Sequence, residues 1–361
     1  MTYPARAAVR VEAPDNTPPM QRVNSPESGA PCVYIVSHGP GCLDGVAAAV
    51  AVARYRAGAR LIPRFASNSR IDQVLCSIST EHTPAGSEVW ITDISWTEEA
   101  TNAHLRQLAT KGVKLYWFDH HRTAIARHAS GAIHAPFTDY ELNEAVSGAR
   151  LVYEYLERQL DASGKTNEAF RAFAPVVAQA DDNDRWIHAI PGSRELALTV
   201  STLAGTDDDN LDAYHALLDI DADVTYSPAM QAAYEQSTRE IKDSFALAQR
   251  SRVRRVGPDG SSLVCAVCDG YPSEIGDSWG KQATNTVFVF YDRKNGGISL
   301  RRSPDCRADL SKLAQMFGGG GHPAASGCRP HELPELIAHS VAGLFASGLQ
   351  DLLNADRTDS N

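Results

Sequence analysis

The chain lacks any apolar stretch long enough to cross a bilayer, and its start carries no charged-then-apolar leader. Neither a spanning helix nor a secretory signal is therefore expected. It also lacks an excess of positive charge: 34 Lys and Arg stand against 44 Asp and Glu, a formal net charge of −10. That balance disfavours a protein held along duplex DNA by a basic surface. It leaves room for a small anionic substrate gripped by a few local cations or metal ions. No segment of about 20–50 residues recurs, so no repeat architecture is expected. Paired cysteines are missing too. The seven present (32, 42, 76, 265, 268, 306 and 328) are scattered, and an odd count without a leader reads as reduced thiols in the cytoplasm. Cys265 and Cys268 form a C-x-x-C, but no second pair or neighbouring histidine completes a zinc set; beside Val264 and Val267 they read as core thiols of a strand. Large apolar groups are nearly absent from residues 1–30, which read as a disordered tail.

Beyond that tail, 361 residues with 43% hydrophobic content suffice for two domains, each with its own core. A short apolar strand at 32–36 leads through a loop at 37–44 into an Ala/Val-rich helix at 46–55. The grammar repeats. Residues 88–92 form a strand that ends at Asp93 and precedes a helix from about Thr97, and residues 114–118 form a strand that ends at Asp119. Strands alternating with helices imply a parallel sheet with helices on both faces, with the "LYWF" run (115–118) as its central strand. Helices follow at 145–160 and 168–180. The expected division is a catalytic domain at 31–195, a helical connector at 196–248, a smaller α/β domain at 249–347 and a polar tail at 348–361. The smaller domain shows a strand in "SSLVCAVCDG", a hairpin around "DRKNGG" and a helix in "ADLSKLAQMF".

Each strand of the first domain delivers polar groups at its carboxyl end: His38, Cys42 and Asp44 after the first, Asp93 after the second, Asp119, His120 and His121 after the third. In open parallel sheets that edge is where ligands bind. Carboxylates gathered there without a cation would repel, and some would have to protonate. Divalent metals resolve the conflict, and aspartate oxygens with histidine nitrogens suit Mn²⁺ or Mg²⁺. More than four such ligands suggest two ions sharing a water. A fourth cluster, Asp181, Asp182 and Asp184, closes the helix at 168–180. Any one of these residues taken alone could be a helix cap or a satisfied surface group; the combination points to a metal centre.

Four stretches, "SHGPGCLDGVAAA", "ITDIS", "WFDHHRTA" and "ADDNDRW", resemble in order the four motifs of the DHH phosphoesterase superfamily. "ISLRRS" followed by "FGGGGHPAASG" resembles the DHH-associated substrate-binding domain, so the resemblance spans about residues 32–347. Its branches include RecJ-type exonucleases, oligoribonucleases of the nano-RNase kind, nucleotide phosphatases and cyclic-dinucleotide phosphodiesterases. The resemblance implies metal ligands at His38, Asp44, Asp93 (bridging) and His120, with Asp182 as the motif-four ligand and Asp181 its competitor by one residue of register. It implies that His121 faces the scissile phosphate and that Asp119 orients the site or occasionally ligates. Cys42 stands where an acid is usual; it is either a soft ligand or a buried thiol with no metal contact. Asp184 and Trp186 complete a D-x-D-x-W pattern read as structural. The five tryptophans are too dispersed for a base-stacking strip.

In the second domain, Gly319, Gly320 and Gly321 are expected to bring backbone N–H groups close to a phosphate, and the resemblance implies that Arg301 and His322 grip the terminal phosphate of a short nucleotide chain. Arg301 and Arg302 should point to opposite faces of their strand, so one of them reaches the substrate. The implied enzyme is a Mn²⁺-dependent phosphoesterase, with two ions and Mg²⁺ as the substitute. It would cleave short single-stranded oligonucleotides or small dinucleotides, with no stable duplex DNA and no membrane as partner, and a homodimer allowed. The competing readings are a phosphatase of bisphosphorylated nucleotides or polyphosphate, and a weakly catalytic nucleotide-binding member that Cys42 would explain.

Overall fold

A computed structural model of the protein describes residues 30–205, 207, 209–257 and 260–358. The expected tail at 1–30 lies, but for Ala30, outside the described residues. The described chain divides into two compact units: one takes in residues up to His38 together with 48–170, the other 39–47 and everything from Arg171 onward.

The first unit runs β1 (Cys32–His38), α1 (Leu43–Tyr55, whose residues up to Ala47 group with the second unit), β2 (Arg60–Ala66), α2 (Ile71–Cys76), β3 (Glu88–Thr92), α3 (Glu99–Thr110), β4 (Lys114–Asp119), α4 (Arg122–Ala129), β5 (Asp139–Leu142) and α5 (Gly148–Ala162). All five strands are parallel, in the order β2-β1-β3-β4-β5. The centre of the sheet is therefore β3, not β4 as the apolar run led us to expect; β4 is an inner strand beside it. The run at 115–118 is continuous because both faces of β4 are covered. Leu115 and Trp117 join a core with Trp96, Leu105 and Ala124 of the α2–α4 side. Tyr116 and Phe118 face the other way, against Trp90 and, for Phe118, Tyr155 of α5.

Parallel register levels the strand ends. Ser37 pairs with Thr92, and Thr92 with Phe118. His38, Asp93 and Asp119 are each the next residue, so they share one level at the carboxyl edge. Asp93 is pinned there by its N–H, which donates to Phe118 O at 2.8 Å.

After α6 (Glu168–Arg171), the second unit continues through α7 (Ala174–Asp184), α8 (Ser193–Ala204), α9 (Asp212–Leu218) and α10 (Pro228–Ser251). A six-stranded sheet follows, made of β6 (Val253–Val256), β7 (Ser262–Cys268), β8 (Thr286–Asp292), β9 (Gly297–Arg302), β10 (Gly320–His322) and β11 (Ala325–Cys328). Its order is β10-β11-β9-β8-β7-β6, with only β7 and β8 parallel. Helices α11 (Pro272–Gly280) and α12 (Leu310–Gln315) pack on it. Within this unit α7 packs on α8, α8 on the 24-residue α10, and α10 on β7. The expected polar tail is helical as far as Thr358, the end of α13 (Leu333–Thr358), which leaves Leu336, Leu344, Phe345 and Leu349 exposed at helical spacing. Cys265 and Cys268 lie in β7 as expected. Burial raises the Cys268 thiol to about 12 and the Cys265 thiol in the same direction, so both stay protonated.

Candidate active site

The first unit brings His38, Asp93, Asp119, His120 and His121 together. Asp93 is 1% exposed, and the residue has a left-handed backbone, φ 59°. Such a conformation strains most side chains by about 1–3 kcal/mol, and Asp tolerates it better than most. One carboxylate oxygen lies 3.1 Å from His120 Nε2 and 3.8 Å from His121 Nδ1; the other lies 3.5 Å from His38 Nδ1. Burial pushes the Asp93 carboxyl up. The hydrogen bonds from His120 and His38 and the field of His38 and His121 outweigh it, and Asp93 is held well below the ordinary carboxylate range. His121 is governed by the same balance. Burial opposes its charge, but the bond to Asp119 and the nearby carboxylates prevail and raise it.

Asp119 is fully buried. One of its oxygens accepts from His121 N at 2.9 Å and lies 2.8 Å from His121 Nδ1. The other, also buried, has no hydrogen-bond partner among the described residues. A donor atom from each of Asp93, His120 and His121 fits within 4.8 Å of the others. A buried carboxylate with converging imidazoles is a donor set suited to a divalent first-row ion, so the residues present fit a metal.

Cys42 and Asp44 belong to the segment 39–47 that groups with the second unit. Cys42 precedes α1, where its carbonyl accepts Val46 N at 3.0 Å, and it takes part in no disulfide. Asp44 is 1% exposed in the first turn of α1, where the helix dipole favours an acid.

Asp182, expected as the motif-four ligand, is committed elsewhere. Its oxygens accept from Ala189 N at 2.9 Å, Ile190 N at 3.2 Å and Ser193 Oγ at 2.5 Å. These bonds hold the loop that leaves α7 and also keep the carboxyl low against burial. With three donors already on it, this side chain is a poor candidate for a metal. Asp181 and Asp184, three residues apart, share a different face of α7; Asp181 pairs with Arg185 at 3.4 Å.

In the second unit a cavity of about 500 Å³ collects Arg301, Arg302 and His322 with Ser273, Asp184 and Trp186. Both arginines line it, although strand alternation predicted one. Arg302 is the last residue of β9, where the flat-strand rule lapses, and its Nη1 donates to Ala308 O at 2.8 Å. Arg301 donates to Ser273 Oγ at 2.7 Å and to Leu300 O at 2.8 Å. Burial pulls its pKa below the ordinary value, which is the mark of a desolvated cation. Two contributors were missed from sequence, Ser273 and Gly276. A Cβ on Gly276 would fall 2.7 Å from Arg301 Cγ, so the glycine lets the arginine stem cross α11. A glycine inside a helix, at a cost of about 1 kcal/mol, was the available signal.

Gly319, Gly320 and Gly321 stand outside that lining. They serve strand pairing instead. Gly320 pairs with Gly327 and Gly321 with Ser326. A Cβ on Gly319 would collide with Gly327 O and Cys328, and one on Gly321 (φ 135°) would lie 2.8 Å from Ala325 O. The loop is glycine-rich because two strands approach closely, and it delivers His322 to the cavity.

No family model matches the chain. It is 26% identical over 249 residues to oligoribonuclease NrnB of Bacillus subtilis, covering 66% of this chain and 58% of that protein. The chain thus spans somewhat under three-fifths of that relative. Among solved structures it resembles the DHH domain of a protein described as a member of a family of ribosomal proteins (TM-score 0.59, 14% identity, 86% of each chain). It also resembles the pGpG-specific phosphodiesterase PggH of Vibrio cholerae (0.51, 16%, 88% of this chain and 99% of that one). RecJ of Thermus thermophilus, solved with Mn²⁺, is similar at 0.51 and 16%, over 85% of this chain and 51% of RecJ. These structural likenesses show that the chain has the fold of DHH-domain proteins.

Proposed function

We propose that the protein hydrolyses phosphodiester bonds of short oligonucleotides or small dinucleotides, in the cytoplasm, with Mn²⁺ as its preferred ion. The observation that carries this reading is Asp93, buried among His38, His120 and His121 at the end of a parallel sheet. His38, Asp93 and His120, all of the first unit, are the residues we assign as ligands. Cys42 keeps the two roles open to it, soft ligand or inert thiol. When bound, a pair of such ions supplies a hydroxide nucleophile and offsets charge developing on phosphorus.

The protein's own groups do the rest. Asp119 fixes the His121 ring by accepting at Nδ1, which leaves Nε2 to meet the scissile phosphate. Arg301, Arg302 and His322 bind a terminal phosphate in the 500 Å³ cavity. A substrate held at one end suits an acidic protein, since the grip needs only local cations. Two relatives support the class: the sequence match is named an oligoribonuclease and one structural neighbour a pGpG-specific phosphodiesterase. Seven cysteines outside any disulfide and the absence, among the described residues, of a helix fit to cross a membrane accord with a cytoplasmic setting.

The test is a panel with Mn²⁺: 5′-phosphorylated dinucleotides, 24-mers, cyclic dinucleotides, a bisphosphorylated nucleotide and polyphosphate. Mononucleotide release from the dinucleotides, lost in Asp93→Asn, is the expected result. Phosphate release from bisphosphate or polyphosphate alone would replace the proposal with a phosphatase. No turnover of any substrate would favour a nucleotide-binding member.

A further inference from the structure

Trp186 is out of place for its size. Trp90, Trp96 and Trp117 are fully buried, and Trp279 packs on Phe288 and Phe290. Trp186 is 44% exposed. It also sits at φ 55°, and His188, two residues on, at φ 52°. This loop is not slack. Trp186 N donates to Asn183 O at 2.9 Å, Ile187 N to Asp182 O at 2.9 Å, and the Asp182 carboxylate ties down the segment beyond. A network of main-chain and Asp182 hydrogen bonds thus holds an indole outward in a conformation that L residues avoid.

The indole stands between two different cavities of the second unit. On one side is the cation-rich cavity of Arg301, Arg302 and His322. On the other is a cavity of about 550 Å³, lined also by Arg194, Tyr271, Glu274 and Lys294. Both cations of this second cavity are paired, Arg194 with Glu274 at 3.1 Å and Lys294 with Glu240 at 2.5 Å, and the remaining acid, Asp292, accepts from Gly270 N, Lys294 N and Asn295 Nδ2, so no cation there is left over for a phosphate. The first cavity suits a phosphate; the second suits a polar, uncharged group. Arg194 lies over the Trp186 ring, 5.2 Å from its centroid, and adds a second planar surface.

We propose that Trp186 is a stacking platform for the nucleobase of a nucleotide whose phosphate occupies the Arg301–His322 cavity. This rests on the function proposed above and adds a specificity element to it. Every base offers a π-face, so the platform favours nucleotides over bare phosphate esters without choosing strongly among bases.

The test measures binding by calorimetry of AMP, ribose 5-phosphate and inorganic phosphate. Wild type should bind AMP about tenfold more tightly than ribose 5-phosphate. Trp186→Leu, which keeps apolar bulk without a π-face, should bring the two within about twofold, while Trp186→Phe keeps most of the preference. Equal binding of AMP and ribose 5-phosphate by wild type, or an intact preference in Trp186→Leu, overturns the platform and leaves the phosphate grip standing. Arg301→Ala reports on the grip separately: undiminished ribose 5-phosphate binding there removes the phosphate site, and the platform as stated falls with it.

Discussion

A single oxygen of Asp119 receives both the main-chain N–H of His121, at 2.9 Å, and its ring Nδ1, at 2.8 Å. The acid thereby fixes the backbone turn and the ring orientation together. Asp119→Asn should lower kcat about 10–100-fold, the usual effect of losing an outer partner of a metal site. Mn²⁺ affinity should fall far less than in His120→Ala. Calorimetric titration beside single-turnover kinetics separates the two effects, and an equal loss of affinity in both variants would make Asp119 a ligand.

Asp182 and Asp181 should part company in the same way. Asp182→Ala strands two loop N–H groups and the Ser193 hydroxyl, which calls for destabilisation of about 3 kcal/mol. Asp181→Ala removes one partly exposed ion pair and should leave stability nearly unchanged. Urea midpoints of the two variants decide the matter. The opposite ranking would return Asp182 to the set of ligands.

The glycines at 319 and 320 look interchangeable in sequence but have different surroundings. A Cβ on Gly319 strikes Gly327 O and Cys328, whereas one on Gly320 meets nothing within 4 Å. Gly319→Ala should be the disruptive change, costing about 1–3 kcal/mol as overpacking does, and it should weaken phosphate binding by displacing His322. Gly320→Ala should fold normally. Thermal melts followed by phosphate titration would expose the reverse pattern.

A pH-dependent term lies away from the site. Asp72 accepts from Thr97 N at 3.0 Å, Glu98 N at 3.0 Å and Thr101 Oγ1 at 2.6 Å at the start of α3. Burial raises its carboxyl, but these bonds prevail and lower it. A folded pKa below the unfolded one, about 3.9, means that the stabilisation is present above that value and is lost as pH falls through the folded pKa. Asp72→Asn should therefore cost about 1 kcal/mol at neutral pH, as a lost cap does. The gap from wild type should close in strongly acidic solution. A gap constant with pH would mean that the charge contributes nothing.

The sequence announced the inner strands and not the outer ones. β1, β3 and β4 are covered on both faces and so read as apolar runs that end in polar residues. β2 contains Pro63 between Arg60 and Arg64, and β5 is four residues, Asp139–Leu142. Both are sheet edges, where neither an unbroken apolar run nor a full set of backbone donors is required. The histidines of the candidate site were legible because local order delivers them: His38 ends β1, and His120 and His121 directly follow β4. The role of Asp182 was not, because it depends on donors seven to eleven residues further on. The residues lining the Arg301 cavity were half legible. Arg301 and His322 stood in a recognisable pattern, while Ser273 and Gly276 reach the cavity only through the packing of α11 on β9.

The left-handed backbone at Asp93 bears on how variants there must be interpreted. Asparagine and glycine adopt φ near 59° without much penalty, and alanine does not. An alanine at 93 removes the carboxylate and also pulls on the strand end that carries it, so lost activity in that variant has two indistinguishable origins. Asparagine changes charge alone and glycine changes the side chain alone. In a saturation survey, position 93 should therefore tolerate three residues for folding and one for chemistry, and the difference between those sets measures how far the catalytic edge and the sheet can vary independently.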